Sequence, residues 1–257
     1  MDDKVTSSAT PTNMLQEAQD LQKSLSDDGI PTKLIGGIAI AMRCPHIRER
    51  GLERDYHDID ACALARDAKK IESVMTRLGF DTHKHFNAMN YGRQMMFTNS
   101  TSGVHVDIFL DVLRMCQELK FTDRLAVDEH CSLAASDLAL SKLQIVELAD
   151  KDKTDLLALL LDHEPSPGSE SGLNISRIAE VCQVNWGWWK SAIVTLDATK
   201  AYAPARLSPR DLASALAHIE VLRTAIVEAP KSARWKARAR VGERMKWYEL
   251  PEETQPV

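Results

Sequence analysis

Three aspartates sit among residues that are otherwise mostly apolar. Asp58 and Asp60 lie in "YHDIDACAL", residues 56–64, and Asp107 lies in "VHVDIFLDV". In an extended chain successive side chains alternate faces, so Asp58 and Asp60 share one face while Ile59, Ala61 and Ala63 fill the other. Asp107 shares a face with His105 and Phe109 by the same rule. Two carboxylates held that close repel each other, more strongly when shielded from water, so a positive partner is required. A divalent metal supplies it: magnesium takes hard oxygen ligands, commonly one or two carboxylates with substrate phosphates and water. In a two-metal site one ion activates an attacking hydroxyl and the other steadies a leaving pyrophosphate.

Gly36 and Gly37 are the complementary half. A turn without side chains lets backbone N–H groups approach phosphates, and the start of a following helix adds a favourable dipole. The elements that must position these groups follow from periodicity. Met14, Ala18, Leu21 and Leu25 recur at helical spacing until "DDGIP" ends the helix. "TKLI" reads as a strand entering the Gly-Gly turn, "IAIAMR" as a helix and the paired-aspartate segment as a second strand. Ile71, Val74, Met75 and Leu78 form the stripe of a helix closed by Gly79. "RQMMFTN" and "VHVDIFL" read as strands joined by the turn "STSG". Beyond about residue 130 nearly everything reads as helix: one over 137–149 capped by Ser136, then "TDLLALLLDH", "ISRIAEVCQ", "WGWWKSAIVTL" and a helix opened by Ser208 and Pro209. "EPSPGSESG" marks a flexible connection near 163–172. The expected fold class is α/β (α+β), a small mixed sheet over 13–130 followed by a helical domain over 131–257.

The 257 residues are 44% apolar and 27% charged, ordinary proportions for a soluble globular chain. No apolar run approaches membrane-spanning length and the N-terminus is acidic and polar, so the expectation is a cytoplasmic protein with no membrane partner. Five widely spaced cysteines without a C-x-x-C pair read as reduced fillers. The net charge of −5 hides an asymmetry, because residues 231–247 carry seven basic side chains against one acidic. That run reads as a strap across an acidic body in preference to a nucleic-acid contact.

With these motifs in place, the chain resembles the polymerase-β-like nucleotidyltransferase superfamily. "LIGGIAIAM", "HDIDACAL" and "VHVDIFL" are similar to its Gly-Gly or Gly-Ser turn, paired-aspartate strand and later acidic strand. "LALSKLQIVELADKDKTDLLALL" is similar to the helical segment of its toxin-type AbiEii and MenT branch. The resemblance spans about residues 30 to 162. It implies Asp58, Asp60 and Asp107 as metal ligands and catalytic residues, with Asp107 activating the acceptor. It implies Gly36 and Gly37 as the phosphate cradle, Mg2+ or Mn2+ as cofactor, and ATP or another NTP as co-substrate. The reaction implied moves an NMP group to a hydroxyl on a small molecule, RNA or protein and releases pyrophosphate. The contrasting reading is a non-catalytic nucleotide-binding or toxin–antitoxin interaction module on the same fold. "RCPHIRERGLERDY" lengthens the interval between turn and acids, either as a substrate-specific loop or as a remodelled nucleotide end.

Other residues are weighed on their own surroundings. On a helix over 137–149, Lys142 rises from a stripe of Leu138, Ala139, Ile145 and Val146, so it either snorkels or faces a cleft that holds anions; we read it as facing phosphate. Asp152 and Asp155 either cap the next helix or orient Lys142. Arg54 stands where a phosphate or carboxylate partner is useful, and His105 either contacts substrate or supports its neighbours. His83 and His85 have same-face spacing on a strand but no third ligand. Trp186, Trp188 and Trp189 read as packing residues rather than a base-stacking platform.

Overall fold

The computed structural model describes residues 11–168 and 171–250. The polar stretch 1–10, positions 169–170 of the expected connection and residues 251–257 lie outside the described residues. The first half runs α1 (Pro11–Asp27), β1 (Thr32–Ile35), α2 (Gly36–Arg43), β2 (Asp58–Ala63), α3 (Ala68–Arg77), β3 (Phe80–Thr82), α4 (Lys84–Met89), β4 (Gln94–Asn99) and β5 (His105–Leu110). A hairpin of β6 (Val112–Arg114) and β7 (Glu118–Lys120) leads to α5 (Ala135–Leu143) and α6 (Asp150–Asp162). The two-residue strands β8 (Pro165–Ser166) and β9 (Leu173–Asn174) precede α7 (Ile175–Cys182), α8 (Trp186–Tyr202), α9 (Pro209–Glu228) and α10 (Ala233–Val241).

A five-stranded mixed sheet has the order β1-β2-β5-β4-β3. Its one parallel pair, β2 with β5, lies in the middle, and the other pairs are antiparallel. Alternation sets which residues face inward: Ile59, Ala61, Val106 and Ile108 are buried, while Asp58 is exposed and Asp60 and Asp107 are half-buried. A one-residue slip would expose two isoleucines, each worth about 1.5–3 kcal/mol when buried, and drive the aspartates into the core; the register is therefore strongly specified. The helices α1, α2 and α3 pack on the sheet, and α5 and α6 reach it through α2. The apolar core runs unbroken from Met14 in α1 to Ile226 in α9, so both regions of the sequence share it. Among the described residues no helix is long and apolar enough to cross a membrane. All five cysteines are free thiols, four of them buried.

Three expectations are corrected here. The segment 137–149 is not one helix: α5 ends at Leu143 and α6 begins at Asp150. The break holds because Asp152 accepts from Ala149 N at 3.3 Å and the freed Ile145 carbonyl accepts from Thr195 Oγ1 at 2.7 Å. Ser136 does not cap; Ala134 holds that position, and the buried Ser136 hydroxyl accepts from Asn174 N at 2.6 Å. His83 and His85 do not share a strand, since β3 stops at Thr82 and His85 lies in α4. The proposed cap Ser208 does accept from Asp211 N, with Pro209 opening α9. Within the expected flexible connection, Pro165 and Ser166 pair with Leu173 and Asn174.

Candidate functional site

Strand register assembles the site. Ile35 pairs with Asp60, and Asp60 pairs with Asp107, so β1, β2 and β5 place the end of the first strand and two acids in one row. The residue after Ile35 is Gly36, with φ +72, a left-handed conformation that glycine adopts without strain. A Cβ on Gly36 would collide with the Asp60 carboxylate, and one on Gly37 would collide with the Arg54 guanidinium. The two glycines are thus required by one anion and one cation pressing on the turn from the same molecule.

A cleft of about 720 Å³ opens here, lined by Gly36, Gly37, Arg54, Asp58, Asp60 and Lys142 together with Glu147, Lys151 and Leu250. The volume falls in the usual range for a small-molecule site. Asp107 and His105 are not part of that lining; they stand one strand over. Gln94 Nε2 donates to Asp107 Oδ1 at 2.7 Å, and Thr98 Oγ1 lies 3.0 Å from His105 Nδ1 and 2.7 Å from His83 Nε2. Among the described residues neither the Asp58 nor the Asp60 carboxylate has a hydrogen bond or an ion pair. Burial, followed by the charges of Asp58 and Asp107, pushes the Asp60 carboxyl up to about 8 despite Lys142 and Lys151. Burial also raises Asp107, against the hydrogen bond from Gln94 and with the charge of Asp58 adding to it.

Beneath the cleft the charges are balanced. Arg54 grips Asp155 through Nε at 2.8 Å and a second nitrogen at 2.9 Å, the bidentate arrangement that suits a guanidinium. Lys142 Nζ lies 2.8 Å from Asp152 and 2.9 Å from Asp155. Burial disfavours the charges of Arg54, Lys142 and Asp155. The hydrogen bonds from Arg54 and the charge of Lys142 outweigh it at Asp155, whose carboxyl is held below the usual range. At Lys142 the two carboxylates outweigh burial and raise the ammonium. Asp152 therefore both caps α6 and orients Lys142, which explains why two sequence-level readings competed. Two of the three ammonium donors of Lys142 are committed to carboxylates, leaving one for a ligand. Tyr56, with Arg54 stacked over its ring at 4.7 Å, is pushed up to about 12 by burial and Asp155.

The long interval between Gly37 and Asp58 docks on the helical region: Arg50 pairs with Asp162, His46 also meets Asp162, and Arg54 meets Asp155. Lys151 was missed. It is exposed on the cleft wall in the first turn of α6 and has no ion pair among the described residues. Its signal was its place one turn before the Asp155 that Arg54 and Lys142 share.

The expected tryptophan packing is present, with Trp186 and Trp247 edge to face at 5.9 Å and Trp189 and Trp235 at 5.6 Å. The strap is held differently from expectation. Among the described residues none of the seven basic side chains of 231–247 pairs with an acid of the body; the segment's single ion pair joins its Glu243 to Lys190. Arg238 lies over the Trp186 ring at 4.7 Å and donates to the carbonyls of Gly242 and Met245 at 2.7 and 2.6 Å. Aromatic packing, cation–π contacts and the one ion pair at Glu243 fasten the C-terminal segment.

No family model matches the chain, and no curated protein does. Among solved structures it is similar to the antibiotic-resistance factor ANT(2'')-Ia, studied in solution for substrate-regulated conformation dynamics, at 12% identity over 92% of this chain and 100% of that one with a TM-score of 0.42. Fold and site are accordingly read from the chain's own geometry.

Proposed function

We propose that the cleft transfers a nucleoside monophosphate group from an NTP to a hydroxyl acceptor, with release of pyrophosphate and dependence on a divalent metal. The observation that carries this reading is the Gly36–Asp60 contact. The turn that would take phosphates and the acid that would take metal meet at one point, and the Asp60 carboxylate has no other partner. The donor set fits a hard cation. Among the described residues no three side chains of His, Cys, Asp or Glu are grouped so as to hold a metal ion by themselves. Asp58 and Asp60, with Asp107 beside them, instead suit an ion that takes one or two carboxylates and completes its shell with phosphate oxygens and water. Such an ion would neutralise charge developing on the reacting phosphate.

The protein's own groups divide the remaining work. Backbone N–H groups of Gly36, Gly37 and the first turn of α2 bind phosphate oxygens. Lys151 meets the phosphate chain as the cleft's uncommitted cation, with the spare donor of Lys142 below it. Asp107 takes the proton of the acceptor hydroxyl, and Gln94 fixes its orientation. Arg54 acts as a positioning residue that props the turn against Asp155.

The test is to incubate the protein and its Asp60→Asn variant with α-labelled NTPs and Mg2+ or Mn2+, offering small hydroxylated compounds, cell RNA and cell protein in turn. Label transfer with matching pyrophosphate release, lost with chelator and with the variant, is the expected result. Tight NTP binding with no transfer to any acceptor would instead favour a binding-only module.

A further inference from the structure

A second cavity of about 1130 Å³ lies beside the acid-lined cleft, and Met115 and Cys116 line both. The β6–β7 hairpin, α7 and the start of α8 form one side of it, and α10 with the chain through Glu249 forms the other. That C-terminal side is docked by built contacts. Gly187 leaves room for it, since a Cβ there would stand 2.7 Å from the Trp247 carbonyl oxygen. Gln117 Nε2 donates to the same oxygen at 2.9 Å, Glu249 N donates to Cys116 O at 3.3 Å, and Leu250 reaches the acid-lined cleft.

The lining has charge to spare. It carries six cationic side chains against three acidic ones. Arg114 pairs with Glu118 and Arg177 with Asp137, while Arg238 is spent on carbonyls and on the Trp186 ring. Among the described residues Lys120, Arg234 and Lys246 have no ion pair; neither do Asp123 and Glu249, so the uncommitted charge is net positive. The rings of Trp235, Trp247 and Tyr248 are half-buried along the same lining. The indole N–H groups of Trp235 and Trp247 are buried without an acceptor among the described residues. A buried donor without a partner is costly, so this side gains from an acceptor oxygen placed against it.

Each feature narrows the ligand. Free cations on β7, on α10 and on the chain beyond it require several negative charges on one molecule, which a simple aromatic acid lacks. The rings require a planar apolar face, which an inorganic polyphosphate or a peptide of Asp and Glu lacks. The excess of cations does here what a metal would do in the acid-lined cleft. We propose that this cavity is a second nucleotide site, taking a nucleoside polyphosphate without metal and outside the catalytic cleft, as an effector and not as a substrate. Arg234, Trp235, Lys246 and Trp247 belong to the docked segment, so the nucleotide binds the docked state in preference and holds it in place. Leu250 ends the described part of that segment and, with Phe109, Leu113, Met115 and Ile145, forms the apolar end of the acid-lined cleft. Occupancy of the second site therefore stiffens the surface against which the base of a substrate NTP would lie. That consequence rests on the nucleotidyltransferase reading; the second site does not.

The two sites differ in what metal does to them, and that difference is the test. Without a cation, Asp58, Asp60 and Asp107 repel a triphosphate from the acid-lined cleft, whereas the second cavity attracts it. Titration calorimetry of ATP on the full chain should give one site in EDTA, weakening as salt rises, and a further site when Mg2+ is added. Replacing the exposed Lys120, Arg234 and Lys246 together by Gln should weaken the EDTA site at least about tenfold and leave the Mg2+-dependent site in place. Trp247→Phe, which keeps a ring and removes the donor, should weaken the EDTA site severalfold. Tripolyphosphate, which carries the charge without the ring, should bind more weakly than ATP. Hydrogen exchange at 245–250 in EDTA should slow when ATP is added. An absence of binding in EDTA, EDTA binding that the triple variant retains, or tripolyphosphate binding as tight as that of ATP overturns the proposal, as does unchanged exchange with ATP bound. If only the Mg2+-dependent site is found, the second site falls and the catalytic reading stands. If only the EDTA site is found, the second site stands and the catalytic reading falls.

Discussion

Two groups of charges share one cleft and are handled in opposite ways. In the floor, Arg54, Lys142, Asp152 and Asp155 neutralise one another through charge-assisted hydrogen bonds of 2.8–2.9 Å. In the wall, the carboxylates of Asp58 and Asp60 have no partner among the described residues, and Asp107, one strand over and outside the lining, has only the hydrogen bond from Gln94. The floor gains its stability inside the chain; the wall carries a repulsion that only something from outside can relieve. Charges committed to each other build structure, and charges left uncommitted are available for chemistry.

The largest expected effect lies in the wall. Asp58→Asn and Asp60→Asn should each reduce transfer by at least about 10³-fold, measured with labelled NTP, because electrostatic stabilisation of the reacting phosphate is lost. The same Asp60→Asn change should raise the Tm of the metal-free protein by a few degrees at neutral pH. The sign follows from the raised carboxyl. Asp60 titrates at about 8 when folded and near 3.9 when unfolded, so its ionisation removes stability progressively from about pH 4 and fully above about pH 8. The advantage of the Asn variant should therefore grow across that window and vanish below it. Equal melting curves at pH 7.5 would break the contrast between wall and floor.

Next comes the floor. Asp155→Asn strands Arg54 and Lys142 in buried positions and should cost about 3–5 kcal/mol in urea denaturation. Because the folded Asp155 carboxyl is held low, its contribution is present above the unfolded carboxylate range and is lost as pH falls through the folded value. The variant's stability should accordingly fall less steeply on acidification than the parent's. A cost under about 1 kcal/mol would place Asp155 with ordinary surface pairs.

Gly37→Ala tests the seam between the two groups. A new Cβ displaces the Arg54 guanidinium and should cost about 1–3 kcal/mol, as overpacking does. In a double-mutant cycle with Arg54→Ala the two costs should be far from additive; additivity would show that the guanidinium does not prop the turn. The smallest expected effect is at Gln94, where Leu should lower transfer by about 10-fold without loss of stability, as removal of a group that orients a ligand does. A full 10³-fold loss there would make Gln94 a direct partner of substrate.

The sequence alone determined the elements that position the site and the identity of the wall. Period-two alternation around Asp58, Asp60 and Asp107 is local and strong, since each misplaced isoleucine costs more than most other single errors; the strands and their acid face were therefore legible. So were the glycine turn and the Ser208–Pro209 helix start, which depend on a few adjacent residues. Tertiary structure decided which charges neutralise which. Lys142 sits ten residues from Asp152 but Arg54 sits 101 from Asp155, and no periodicity encodes a pairing that exists only after α6 packs under the turn. The break at Gln144–Ala149 was hidden for the same reason: a continuous helix satisfies local propensity, and only the hydrogen bond that Thr195 donates to the Ile145 carbonyl and the double use of Asp152 favour interrupting it. The basic end was legible as charge and as a strap with a tryptophan turned inward; which rings Trp235 and Trp247 meet, Trp189 and Trp186, was decided by the fold.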